Sequence, residues 1–191
     1  MTESESRNLS LLLNSSHPFL RITGANREDW CRPMKKSTDG RIGPWKYSAH
    51  FEVLDQAVWK RAGEVIYFVA DSAKVLRLVG QSSVKLGGRW KLVPMHSVDK
   101  KLPLERRALF HTTSWPAIEI GLQGNERFPL TVSALFREEL NTLCMAADGG
   151  LADTVKMPET HLQRLAFHVE SWVCSLDHSP ARLWNKHKVK S

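Results

Sequence analysis

The chain has 191 residues, 42% of them hydrophobic and 25% charged, which is enough apolar material for a packed core and excludes an extended disordered protein. Lys and Arg number 27 against 20 Asp and Glu, a net charge of +7 that favours polyanionic partners, nucleic acid first and acidic membrane surface second. Three widely spaced cysteines (Cys31, Cys144 and Cys174) argue against a secreted disulfide framework. No stretch approaches the roughly 20 apolar residues of a spanning helix. The leucine run in "MTESESRNLSLLLNSS" is short and preceded by Glu3 and Glu5 rather than by basic residues, unlike a signal segment. These features together place the protein in the cytoplasm.

Residues 1–46 read as an irregular N-terminal arm, punctuated by "HPF", "CRP" and "STDGRIGPW" and anchored by Trp30 and Trp45. A core follows over 47–150. It opens with a helix in "SAHFEVLDQAVWKRAG": Ser48 is a candidate N-cap, Phe51, Leu54 and Val58 share a face, and Gly63 lies past the end. "VIYFVA" and "VLRLVG", joined by "DSAK", read as an antiparallel hairpin. "SSVKLGGRWKL" reads as a short helix weakened by Gly87 and Gly88. A third strand is expected at 117–122.

From Leu130 to Gly150, Val132, Leu135, Phe136, Leu140 and Leu143 form one apolar stripe and predict a helix. On that register Glu139 joins Leu135, Phe136 and Leu143 on the inward face, while Glu138 points outward with Thr131, Ala134 and Thr142. A carboxylate on an apolar stripe needs a partner: a metal ion or an arginine serves equally, and a slip in register hands the role to Glu138. The C-terminal region, 151–191, predicts a helix over "PETHLQRLAFHVESWVCSL" with Pro158 in its first turn, then a basic, aromatic tail. Near it, His161 and His168 are seven residues apart, about 10 Å along a helix and too far to share a metal. Cys174 and His178 make half a zinc site with no second pair.

The order and spacing of the central motifs carry more. "VIY" at 65–67 and "LVG" at 78–80 lie ten residues apart, one on each hairpin strand, Arg89 follows within "VGQSSVKLGGRWK", and Glu139 sits on a later helix. Over about 60–147 this resembles the GIY-YIG nuclease family, whose motifs occur in that order on a β-β-α-β-α core. The resemblance implies an α/β (α+β) fold with a small three-stranded antiparallel sheet flanked by helices, and a metal-dependent endonuclease that hydrolyses DNA phosphodiester bonds, with a restriction-type enzyme as the leading expectation. It implies one Mg²⁺ or Mn²⁺ on Glu139, Arg89 as phosphate clamp and Tyr67 near the attacking water, roles that suit phosphodiester hydrolysis and the coordination habits of a hard cation.

The chain departs from the family in several places. Leu78 stands where a second tyrosine is expected, Val93 where a His or Tyr follows the arginine, and "CMAADGGLADTV" offers no match for the expected asparagine. His96 stands closest to fill the missing role, with His111 and Tyr47 as alternatives. The rival expectation is a catalytically degenerate nucleic-acid-binding or protein-interaction module on the same fold. Either way DNA is the expected partner, contacted through Lys85, Arg89, Lys91, Arg182, Lys186 and Lys188. Neither membrane nor small-molecule cofactor is expected, and a homodimer is left open.

Overall fold

A computed structural model describes residues 1–26, 48–83, 86–90, 128–161, 163–179 and 183–185. The elements are α1 (Glu3–Ser15), β1 (His17–Asn26), β2 (Ser48–Val53), α2 (Gln56–Lys60), β3 (Val65–Ala70), β4 (Leu76–Ser82), α3 (Leu86–Arg89) and β5 (Leu130–Phe136). They continue with α4 (Arg137–Ala146), α5 (Gly149–Asp153), a 3₁₀ turn (Thr154–Lys156) and α6 (Leu165–Ser175). The mixed α/β class stands, but among the described residues the sheet has five strands rather than three, in the order β2-β1-β5-β3-β4, with every neighbouring pair antiparallel.

The first correction concerns residues 1–26, expected to be irregular. Thr2 and Glu5 form a reciprocal capping box that starts α1. Leu9 and Leu12 form the buried face of this helix, while Leu11 of the leucine run is exposed. β1 follows and lies inside the sheet between β2 and β5.

The helix expected from Ser48 is instead β2 followed by a single turn. Asp55, not Ser48, is the N-cap, accepting from the amides of Ala57 and Val58 at 2.8 and 3.0 Å. Phe51 and Val53 pack on the core while Glu52 between them reaches Arg21 of β1 at 3.1 Å. Apolar residues at 51 and 53 satisfy the two-residue period of a strand, and the pairing with β1 selects it.

The apolar stripe after Pro129 also divides. β5 sends Leu130, Val132, Ala134 and Phe136 to one face of the sheet and Leu135 to the other, and only from Arg137 does the chain become helical. The strand expected at 117–122 lies outside the described residues. In the C-terminal region the helix begins at Leu165, not at Pro158.

The hairpin β3–β4 forms as the two β-rich runs and their polar link predict. Asp71 holds its turn by accepting from the amides of Ala73 and Val75, and Arg77 donates to its other oxygen at 2.7 Å. Lys74 adopts φ 61°, a left-handed conformation uncommon outside glycine.

Two cores sandwich the sheet. On one face Ile66, Phe68, Val79 and Leu135 pack with buried residues of α1, α4, α5 and α6. On the other, Val65, Tyr67, Val69, Leu78, Val132 and Phe136 pack with Leu86 and Trp90, with Val58 and Trp59 of α2 against them. Among the described residues no helix is long and apolar enough to cross a membrane.

Candidate functional site at the end of the sheet

Tyr67 is the last residue of the first motif. It sits on β3 opposite Gly80 of β4 and Ala134 of β5, with its side chain 1% exposed. Its ring meets Trp90 edge to face, with centroids 5.4 Å apart. A Cβ at Gly80 would lie 2.3 Å from the Tyr67 hydroxyl oxygen, so the glycine of "LVG" is the space into which this ring fits. Leu78, in the place of the expected second tyrosine, is a buried residue of the same core.

Arg89 closes α3, immediately before Trp90; its backbone is described and its side chain is not. α3 packs on α2, and the reason for Gly87 is visible there: a Cβ would meet Trp59 Nε1 at 2.7 Å. The glycine that weakens the helix therefore admits the indole of its neighbour.

Glu139 lies in the first turn of α4 rather than in the middle of a helical stripe, because β5 persists to Phe136. Its side chain is 34% exposed. Oε2 accepts from the Phe136 amide at 3.0 Å, satisfying the N-cap backbone donor of the helix. Oε1 accepts from Arg61 Nη1 at 3.1 Å and stands 3.5 Å from His17 Nε2. Glu138 is 77% exposed, as its outward position predicts, and takes the other Arg61 nitrogen at 3.2 Å. Arg61 in turn lies over the Phe136 ring, 3.8 Å from its centroid.

Burial pushes the Glu139 carboxyl up, but the Phe136 amide, Arg61 and His17 outweigh it and hold the group below its ordinary range. The result is an ionised carboxylate in a small charged cluster where the starts of β1 and α4 meet the end of α2. Phe136 and Tyr67 project to the same face of the sheet, one strand pair apart, about 7 Å along β3. The cluster therefore borders the core that holds Tyr67 and Trp90.

Arg61 and His17 were not foreseen. Arg61 is 78 residues from Glu139 and His17 is 122, and neither belongs to a motif. The only local hint was that a carboxylate beside apolar residues requires a partner. As arranged, each Glu139 oxygen accepts one hydrogen bond, so the carboxylate is already engaged in the fold. Among the described residues no three His, Cys, Asp or Glu side chains gather as a metal-holding group. His96, Lys85, Lys91, Arg182, Lys186 and Lys188 lie outside the described residues. No family model matches the chain, and neither a curated protein nor a solved structure matches it.

Proposed function

We propose that the chain is a nucleic-acid-binding module on a GIY-YIG-like fold, in which the motif residues serve the architecture. The observation that carries this reading is the engagement of Glu139: the carboxylate assigned to a metal by resemblance caps α4 and pairs with Arg61. The burial of Tyr67 within the core supports it. The GIY-YIG-like element is supported by the order of hairpin, one helical turn, strand and helix, with β3 between β4 and β5. The net charge of +7 supplies the attraction to phosphates.

The endonuclease reading retains one observation: Glu139 and Arg61 are both partly exposed, so their ion pair is open to solvent and can be exchanged. One set of assays separates the two. Binding to duplex and single-stranded DNA, and to RNA of matching sequence, is measured by fluorescence anisotropy across a salt series. Cutting of plasmid DNA is followed with Mg²⁺, Mn²⁺ or EDTA for wild type, Glu139→Gln and Arg89→Ala. Binding that weakens steeply with salt, without cutting by any form, is expected. Metal-dependent cutting lost in both variants would overturn the binding-module reading in favour of the enzyme, and the absence of both binding and cutting would overturn both.

A further inference from the structure

Among the described residues β4 is an outer strand of the sheet, and an outer strand presents unpaired backbone groups that recruit other strands. β4, "LRLVGQS", contains neither Pro nor Lys, residues that commonly discourage such pairing, and its one charged side chain, Arg77, is committed to Asp71. Instead, three residues from near the C-terminus lie along it. The Trp184 amide donates to the Arg77 carbonyl. The Asn185 side chain accepts from the Val79 amide at 3.0 Å and donates to the Val79 carbonyl at 2.7 Å, so one carboxamide satisfies both groups of one edge residue.

The same segment alternates as a strand does. Leu183 is buried in the core on the α6 face, and Trp184 packs against the core of Tyr67, Leu78 and Trp90 on the opposite face. It is a strand mimic two to three residues long, held by side-chain anchors on both layers.

We propose that Leu183–Asn185 guards the β4 edge, and that β4 freed of it pairs with the β4 of a second copy of this chain. Two identical strands pair antiparallel about a two-fold axis, so this edge is its own complement. Its apolar side chains already continue the two cores up to the boundary. The proposal is independent of the nucleic-acid reading.

The test uses the full chain carrying Trp184→Pro with Asn185→Ala, which removes all three edge hydrogen bonds, and Asn185→Ala alone, which removes the two to Val79. Amide hydrogen exchange is read across 76–82, with the Ile66 and Phe68 amides of interior β3 as reference, and sedimentation velocity is run over a concentration series. At a protein concentration below the association step, the Val79 amide exchanges about tenfold faster or more in both variants while the β3 amides hold. The variants gain a concentration-dependent association step that wild type lacks, the double variant more strongly. A synthetic peptide of residues 180–188 reverses both effects, and the same peptide with Ala for Asn185 does not. Unchanged Val79 exchange in the single variant, whose fold is disturbed least, would overturn the proposal. Faster exchange with sedimentation identical to wild type would overturn it too.

Discussion

Gly80 and Glu139 show how one atom at one position decides local stability. Adding a methyl group at Gly80 places it 2.3 Å from the Tyr67 oxygen and 2.8 Å from a ring carbon, so the whole ring must leave its place against Trp90. Gly80→Ala is expected to destabilise the fold by about 1–3 kcal/mol in urea unfolding. In a Tyr67→Leu background the same change costs much less, and equal costs in the two backgrounds would show that ring and glycine are not coupled. Glu139→Gln keeps an acceptor for the Phe136 amide but removes the charge facing Arg61. With both side chains partly exposed and screened, the loss at pH 7 is about 1 kcal/mol or less. Its sign with pH follows from the lowered carboxyl: the contribution is complete above the unfolded pKa and fades as pH falls through the folded one. Stability curves of wild type and Glu139→Gln should therefore converge in acid.

Three elements meet at Glu64, on the residue just before β3. Its side chain is 4% exposed; one oxygen accepts from the Ala166 amide in the first turn of α6 at 2.8 Å, and the other accepts from Arg137 of α4 at 2.6 Å. Arg137 also grips Glu159 at 2.7 and 2.9 Å, and its backbone amide donates to the Glu64 carbonyl. This junction explains why α6 starts at Leu165 rather than at Pro158: one donor of its first turn, the Ala166 amide, is met by a carboxylate that only the folded sheet supplies. Arg137→Ala leaves the Glu64 carboxylate buried without its cation and should cost about 2–3 kcal/mol, less than a wholly buried pair because Arg137 is half-exposed. Glu159→Ala removes only the exposed arm and should cost under about 1 kcal/mol. Chemical denaturation of the two variants ranks them, and equal losses would contradict this division of roles.

Across the molecule, the acid groups point one way. The carboxyls of Asp71, Glu139, Asp148 and Glu159 are all held below their ordinary range. Burial raises Asp71, but its bonds to Arg77 and the turn amides outweigh it; Arg137 is the main cause at Glu159, and Ser4 at Asp148. Each stabilises the fold above the unfolded carboxyl pKa and loses that contribution as pH falls through its folded value. Thermal unfolding should show the melting temperature dropping on acidification from pH 5 towards about pH 2, ahead of any change at neutral pH. Asp148 belongs to the clamp joining α1 to the start of α5 through Ser4, Arg7 and Asn8. Amide exchange in α1 should therefore quicken early in that transition.

The hairpin β3–β4 was legible because its information is local: two apolar, β-rich runs and a short polar turn close on themselves without help from the rest of the chain. The one-turn α3 was legible for the same reason, and the outward position of Glu138 survived because 138 remains exposed in the first turn of α4. The arm was not legible. Its helix is locally encoded by Thr2 and Glu5, but β1 becomes a strand by pairing with β2 on one side and β5 on the other. Residues 48–53 and 130–136 contain apolar positions compatible with both helical and strand periods, so propensity could not choose between them. Pairing with β1, and for β5 also with β3, did. At the candidate site the sequence by itself determined that Glu139 needed a cation or a donor, because desolvating a carboxylate is costly wherever it occurs. Only the tertiary structure decided that the cation is Arg61 and the donor the Phe136 amide, because the partner of a half-buried charge is set by which strands and helices the sheet brings together, and sequence distance carries no record of that.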